Sequence, residues 1–159
     1  MTLALGIDPG IATTGYGLVR LESDGELVAV KYGVILTPKE ASVPARLEML
    51  YRDLRALLMK HHPDTAAVEK LFFQRNVSTA LAVGQARGVI LLVLQQAGVE
   101  SFEYTPNEVK QAVAGYGSAD KKQVQDMARV LLSLTEIPKP DDAADALAIA
   151  ITHLNTKRY

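Results

Sequence analysis

The sequence contains no cysteine and no tryptophan, and only three histidines among its 159 residues. The absence of cysteine excludes disulfides and thiolate metal sites. The histidines, at 61, 62 and 153, are not spaced as zinc ligands. Any bound metal must therefore be held mainly by carboxylate oxygen, a ligand typical of Mg²⁺ or Mn²⁺ sites.

Long hydrophobic runs are also missing. No purely apolar run exceeds six residues, as at 89–94, whereas a membrane-spanning helix needs about 20. Residues 1–6 lack the basic segment of a signal peptide. We expect a soluble, cytoplasmic protein. Its length, with 48% hydrophobic and 22% charged residues, predicts one globular domain over residues 1–159.

Positive charge is not in excess, since the net charge is −1. Proteins that bind nucleic acid usually carry a basic footprint. If four acids belong to a metal site, however, 17 basic side chains face only 14 other acidic ones. A locally basic face for DNA therefore stays open.

The apolar periodicity predicts strands and helices in a definite order. Residues 15–22 and 26–36 flank Asp24-Gly25, a strong hairpin signal, so three strands form a meander. Helices and short apolar strands alternate afterwards, which predicts an α/β fold with a five-stranded mixed sheet, the meander followed by parallel strands, and helices on both faces. The predicted strands are 3–7, 15–22, 26–36, 65–68 and 100–104, and the predicted helices are 44–61, 78–97, 106–114, 121–134 and 140–155.

Two acids stand at the predicted carboxyl ends of strands, where ligand sites of open α/β sheets gather. Asp8 follows the first strand and Glu69 follows the fourth. Asp8 has an alternative role in an Asx turn within Asp-Pro-Gly. Glu69 has an alternative partner in Lys70, although neighbours on a strand point to opposite faces.

Two further acids, Asp142 and Asp145, are three residues apart and share one face of the last helix. Asp141 or Asp142 could instead cap that helix after Pro140. Asp145 lies in a stretch that is apolar on nearly every side, so it should be partly buried and in need of a partner, for which a cation is suitable. The small alanines around it allow the helix to approach the sheet.

Four inward carboxylates suit one kind of chemistry. Hydrolysis of a phosphodiester by two metal ions needs several carboxylates, so that one ion activates water and the other stabilises the leaving oxygen. The sequence offers no nucleophile with a paired base and no Walker-type glycine loop. Covalent catalysis and nucleotide triphosphate hydrolysis are therefore disfavoured.

Four segments, in order and across essentially the whole chain, resemble the bacterial RuvC family. They are Gly6-Ile7-Asp8-Pro9-Gly10 with Thr14-Gly15-Tyr16-Gly17, Glu69 followed by Phe72, Gly84-Gln85-Ala86-Arg87-Gly88, and Asp142-Ala143-Ala144-Asp145-Ala146-Leu147-Ala148. The resemblance implies an RNase H-like fold and assigns Asp8, Glu69, Asp142 and Asp145 as catalytic, metal-binding acids. Asp141 is an extra acid outside this pattern.

The same resemblance implies a function. Proteins of this family are homodimeric endonucleases of DNA recombination and repair. The resemblance implies that this chain resolves Holliday junctions, which are four-way DNA junctions, by paired symmetric nicks. These leave 5′-phosphate and 3′-hydroxyl ends. The implied cofactor is Mg²⁺, two ions per active site, with Mn²⁺ as a substitute, and the implied partner is a RuvA/RuvB-type branch-migration complex.

Residues near the acids are candidates for DNA contacts. Phe72 could stack on an unpaired base, although one of Phe72 and Phe73 is expected in the core. Arg75 and Asn76 are candidates for phosphate or base contacts. Lys110 and Lys121 flank a glycine-bearing loop and could meet phosphates, although solvated lysines are common. Weaker candidates are Tyr16, Arg87, Lys122, Lys157 and Arg158.

Small residues form a stripe on the long helix, with Ala80, Gly84 and Gly88 at four-residue spacing. Such a stripe lets another backbone approach closely. That backbone belongs either to the chain's own sheet or to the same helix of a second subunit, in a twofold dimer that matches the symmetry of an opened junction.

Three other functions compete with a junction nuclease. Sugar-kinase and actin-like ATPases carry a similar first motif, but they use two such domains. A nuclease for RNA–DNA hybrids would need the same acids. A junction-binding protein without activity would lack one acid, and none of the four is missing.

Overall fold

The structure is a computed structural model that describes residues 1–70 and 77–157. The chain alternates strands and helices after an initial three-strand meander. The strands are β1 (Thr2–Asp8), β2 (Thr13–Leu21), β3 (Leu27–Leu36), β4 (Thr65–Glu69) and β5 (Glu100–Tyr104). The helices are α1 (Val43–His61), α2 (Val77–Gln96), α3 (Pro106–Ala114), α4 (Lys121–Leu131) and α5 (Asp141–Thr156).

The five strands form one mixed sheet in the order β3-β2-β1-β4-β5. β1, β2 and β3 are antiparallel neighbours. The predicted Asp-Gly turn joins β2 to β3, with Gly25 at a φ of 91°, a left-handed conformation that glycine adopts at little cost. β4 and β5 continue the sheet in parallel with β1. The predicted sheet is confirmed.

Helices cover both faces of the sheet and enclose two cores. One core joins the sheet to α1 and α2, with Leu5 and Leu54 fully buried in it. The other joins it to α3, α4 and α5, with Ala4 and Leu147 fully buried. Ala4 and Leu5 belong to opposite cores because successive side chains of a strand point to opposite faces.

Helix α5 lies in direct contact with the central strands. A Cβ atom added to Gly6 would stand 2.0 Å from the carbonyl oxygen of Ala146, and one added to Gly15 would stand 2.0 Å from that of Asp142. Only glycine allows this approach. The amino-terminal turn of α5 therefore lies over the ends of β1 and β2.

The other end of α5 is fixed by a buried histidine. The Nε2 atom of His153 lies 2.8 Å from the Thr65 hydroxyl, and its Nδ1 atom lies 2.9 Å from the Tyr104 hydroxyl. Burial lowers the pKa of His153 to about 4. This imidazole is therefore neutral at physiological pH and serves the core.

The predicted boundaries of the helices and strands differ from the observed ones by at most two residues, except at the end of helix α4, where the difference is three. Helix α4 ends at Leu131, whereas the periodicity predicted 134. Leu132 and Leu134 continue the apolar period, but Ser133 has a φ of 53° and the backbone leaves the helix there. Neither glycine nor proline marks this point in the sequence.

Candidate active site

Three carboxylates from distant parts of the chain meet at one end of the sheet. Asp8 is the last residue of β1, and Asp142 and Asp145 lie on the first turns of α5. One oxygen of each lies within 4.8 Å of the others. All three side chains are half-buried. The close packing of α5 on Gly15 produces this meeting.

A fourth carboxylate joins them from β4. Glu69 ends that strand, half-buried, and its side chain shares a hydrogen bond with the carboxyl group of Asp8. We call Asp8, Glu69, Asp142 and Asp145 the acid cluster. All four sequence-predicted acids therefore lie together, at the predicted carboxyl ends of β1 and β4.

Burial and mutual repulsion make the acid cluster hold a proton. Burial, the hydrogen bond with Glu69 and the nearby charges raise the pKa of Asp8 to about 9. Burial also raises the pKa of Glu69, against the lowering effect of its hydrogen bond with Asp8. At neutral pH one proton therefore stays between Asp8 and Glu69, because so many carboxylates cannot all ionise together without a cation.

Two alternative roles, a helix cap at Asp141 or Asp142 and an ion pair of Glu69 with Lys70, find no support in the described residues. Pro140 occupies the cap position of α5, and among the described residues no side chain forms a capping hydrogen bond there, so neither Asp141 nor Asp142 does so. The ion pairs among residues 1–70 and 77–157 do not include one between Glu69 and Lys70. Lys70 is exposed, and its backbone nitrogen donates to Tyr104.

Asp145 has two partners on α4. The Nζ atom of Lys121 lies 3.2 Å from its Oδ2 atom, and Gln125 donates to its Oδ1 atom at 3.2 Å. Lys121 also lies 3.7 Å from Asp141. Burial lowers the pKa of Lys121, but the hydrogen bond and charge of Asp145 outweigh burial and raise it. The predicted need of Asp145 for a cation is thus met by an ammonium group of this chain.

A cleft of about 250 Å³ opens beside the acid cluster between α3, α4 and α5. Glu69 and Asp145 line one side, and the predicted DNA contacts Lys110 and Lys121 also line it. The rest of the lining is apolar, from Pro106, Val109, Val124, Ala148 and Ile149. The two lysines therefore line the same cleft as two acids of the cluster.

The other predicted DNA contacts have varied positions. Phe72, Arg75 and Asn76 lie outside the described residues, as do Phe73 and Arg158. Tyr16 packs against the core under α1 and α2. Lys122 is exposed, and Lys157 lies over the Phe102 ring at 4.2 Å from its centre.

Helix α2 presents an apolar face that residues 1–70 and 77–157 do not cover. A Cβ atom added to Gly84 or Gly88 would meet no atom of the described part of the chain within 4 Å. Val77, Leu81 and Leu92 on the same helix are 80%, 63% and 50% exposed. The chain's own sheet is therefore not the partner of these two glycines. By length and composition alone, α2 could also cross a membrane.

Several site residues were not identified from the sequence, and Arg87 was predicted only as a candidate for a DNA contact. Gly6 and Gly15 admit α5 to the sheet, and Gln125 and Arg87 contact Asp145 and the backbone of Glu69. Glycines at alternate positions on neighbouring strands, facing an alanine-rich helix, are a signal that could have revealed the close approach. The contacts of Gln125 and Arg87 depend on tertiary structure.

The acid cluster fits a divalent cation. Its donors are carboxylate oxygens, which Mg²⁺ and Mn²⁺ prefer. The proton held by Asp8 indicates an unmet demand for positive charge, since a bound cation would let that carboxyl ionise. The residues present could therefore hold a metal.

Comparisons with known proteins give a consistent result. A model of the family described as crossover junction endodeoxyribonuclease RuvC matches residues 4–153. The protein of that name from Syntrophomonas wolfei is 56% identical over 97% of this chain and 89% of its own length. The one from Chloroflexus aggregans is 59% identical over 96% of this chain and 93% of its own.

Solved structures agree. The Thermus thermophilus RuvC in complex with a Holliday junction substrate superposes with a TM-score of 0.93, at 36% identity over 98% of this chain and 94% of that one. The yeast mitochondrial Holliday junction resolvase superposes with a TM-score of 0.72 at 14% identity, over 96% of this chain and 77% of that one. The second likeness concerns the fold alone, which is the RNase H-like fold of such resolvases.

Proposed function

Since the chain belongs to the RuvC family of crossover junction endodeoxyribonucleases, we propose that its acid cluster is the metal centre that hydrolyses phosphodiester bonds of a four-way DNA junction. The protein is a Holliday junction resolvase. The observation that carries the assignment of the site is the meeting of three carboxylates within 4.8 Å. Their demand for positive charge supports it, because Asp8 keeps its proton at neutral pH.

The cofactor is Mg²⁺, two ions per site, and Mn²⁺ can replace it. Bound at the acid cluster, such ions supply an activated water and stabilise the leaving oxygen. Asp8 and Glu69 lose their shared proton when they take up this role. Asp142 and Asp145, one helical turn apart, direct their oxygens to the same point. The products carry 5′-phosphate and 3′-hydroxyl ends.

Lysines of the cleft receive the DNA backbone. Lys110 and Lys121 line the cleft together with two acids of the cluster, so a strand that enters it brings a phosphate between ammonium groups and carboxylates. Phe72, soon after Glu69 in the sequence, is assigned to an unpaired junction base by family resemblance. Arg75 and Asn76, in the segment that follows, are assigned to phosphate or base contacts.

The active unit is a dimer joined along α2. The exposed apolar face around Gly84 and Gly88 is long enough for two helices to pack closely, and a twofold axis suits paired symmetric nicks. The same helix buries Ile90 and Leu94 in the core. A lipid-spanning role would remove this helix from the core, so we assign its face to a second subunit. Gly88→Arg should give a folded monomer in analytical ultracentrifugation.

The protein acts on DNA in the cytoplasm, in recombination and repair. A branch-migration complex of the RuvA/RuvB type presents the junction to it. This partnership rests on family resemblance.

A cleavage assay tests the function. The purified protein is incubated with Mg²⁺ and a synthetic four-way junction, a linear duplex of the same sequence, or an RNA–DNA hybrid. We expect paired symmetric nicks in the junction only. Cleavage of the hybrid instead would retain the metal centre and overturn the substrate. A parallel reaction with EDTA should leave every substrate intact.

A further inference from the structure

The backbone of Glu69 is held by a side chain from another element. Arg87, on α2, donates from its Nη1 atom to the carbonyl oxygen of Glu69 at 2.5 Å. Its Nη2 atom forms an ion pair with the carboxylate of Glu103 on β5. The Arg87 side chain is only 15% exposed. Because a guanidinium is planar and presents its donors in a fixed fork, these two contacts together define its place.

Glu69 lies at the end of β4, where its pairing with the neighbouring strands ends. The pairing of β1 with β4 ends at Val68, whereas the pairing of β4 with β5 includes Glu69 opposite Tyr104. Lys70 then donates its backbone nitrogen to the carbonyl of Tyr104 at 2.7 Å. The last residue of β4 is thus held by β5 on one side and by Arg87 from α2.

The positive charge of Arg87 is neutralised by its ion pair with Glu103. A free guanidinium near a metal centre would repel a cation, but Glu103 takes up that charge. The remaining effect of Arg87 is geometric, because its hydrogen bond fixes the position of the Glu69 backbone. Metal sites depend on such supporting contacts, because the ligands must be held within about 0.5 Å of their productive places.

We propose that Arg87 is a positioning residue for the metal centre: by holding the Glu69 carbonyl, it keeps the Glu69 carboxylate within reach of the cation bound at the acid cluster. The inference rests on the proposed function of that cluster. It assigns a role to the Gly-Gln-Ala-Arg-Gly motif, whose arginine lies between the two exposed glycines of α2. Loss of such a supporting partner typically weakens metal affinity or activity by roughly 10–100-fold.

The test is the binding of Mn²⁺ to the DNA-free protein by isothermal titration calorimetry. Arg87→Met should raise the Mn²⁺ dissociation constant at least about tenfold. It should also raise the Mg²⁺ concentration needed for half-maximal junction cleavage. Added metal should therefore restore much of the cleavage rate. Junction binding in EDTA should stay unchanged. Arg52→Met, the matched control, removes an exposed arginine of α1 together with its ion pair to Glu48, away from the acid cluster, and should shift both values less than about threefold.

Arg87→Lys keeps the protein testable if Arg87→Met does not fold. The lysine ammonium can contact only one of the two partners, Glu69 or Glu103. The Mn²⁺ affinity of Arg87→Lys should therefore be lower than that of the wild type. If Arg87→Met folds, the affinity of Arg87→Lys should lie between those of the wild type and Arg87→Met. Wild-type Mn²⁺ affinity in a folded Arg87→Met or Arg87→Lys protein would overturn the inference, even with slower cleavage.

Asp8→Asn distinguishes a failure of the role of Arg87 from a failure of the acid cluster as the metal centre. If Asp8→Asn loses Mn²⁺ binding while the Arg87 variants keep it, only the role of Arg87 fails. If Asp8→Asn binds Mn²⁺ like the wild type, the acid cluster is not the metal centre and the proposed function of the site fails with it.

Discussion

Replacing Asp8 by asparagine should make the metal-free protein more stable while abolishing cleavage. The folded protein keeps the Asp8 carboxyl protonated at pH 7, because its pKa is raised to about 9. The unfolded chain ionises the same group, whose ordinary value is 3.8. Folding at pH 7 must therefore take up a proton, and asparagine removes that requirement.

The size of the effect follows from the mismatch in pKa. A raised carboxyl pKa contributes stability that is fully present below pH 3.8 and is lost as the pH rises to about 9. At pH 7 the pH lies about three units above the pKa of Asp8 in the unfolded chain, while the carboxyl of the folded protein is still protonated. At 1.36 kcal/mol per unit, this lowers the free energy of unfolding of the wild type by ~4 kcal/mol. Asparagine keeps a hydrogen bond to Glu69 but fits less well, so we expect a gain of about 2–4 kcal/mol, or roughly 5–15 °C in Tm.

The assay is thermal and urea unfolding of both proteins in EDTA at pH 5, 7 and 8.5. The advantage of Asp8→Asn should grow with pH across this range. Added Mn²⁺ should stabilise the wild type and leave Asp8→Asn almost unaffected. Asp53→Asn changes an exposed acid of α1 and serves as the control, with no expected effect. An Asp8→Asn protein that is less stable than the wild type in EDTA at pH 7, or that still nicks junctions, would refute the reasoning.

Three other predictions follow from the same site. Metal must displace the proton of Asp8, so the Mn²⁺ affinity measured by calorimetry should rise about tenfold per pH unit from pH 7 and level off near pH 9. An Mn²⁺ affinity that does not change with pH would contradict this. Lys121→Met should raise the Mn²⁺ affinity of the DNA-free protein several-fold, since Lys121 no longer competes for Asp145, but should slow junction cleavage; Lys122→Met should do neither. Gly15→Ala should cost about 1–3 kcal/mol in urea unfolding and most of the cleavage rate, because its Cβ meets the Asp142 carbonyl at 2.0 Å. Gly33→Ala, whose Cβ would meet the end of the Tyr16 side chain, 2.8 Å from its hydroxyl, rather than backbone, should cost less stability and retain more of the activity.

The fold could be predicted because its signals are local. Hydrophobic periodicity distinguishes the strands from the helices, and Asp24-Gly25 marks the first hairpin. The end of α4 could not be predicted in this way, since Ser133 takes a positive φ within an apolar sequence that would suit a helix. Leu132, just after that boundary, is buried in the core shared with α5, and such tertiary packing is not visible in the periodicity of the sequence.

The acids could be located from the sequence because each combined a position with a chemical need. Asp145 stood in an apolar helix, and Glu69 stood at the end of a buried strand. Their partners could not be located, since Lys121 and Arg87 meet them only through the packing of whole helices on the sheet. The pKa of Asp8 is likewise a property of the assembled cluster.

The most direct test of the metal centre is anomalous diffraction from crystals of the protein soaked in Mn²⁺. The acid cluster should show strong peaks, with carboxylate oxygens of Asp8 and at least two other members at about 2.2 Å. With DNA bound, two peaks about 3.5–4 Å apart should appear. Mn²⁺ located elsewhere, with no peak among these carboxylates in a preparation that cleaves junctions, would contradict the account.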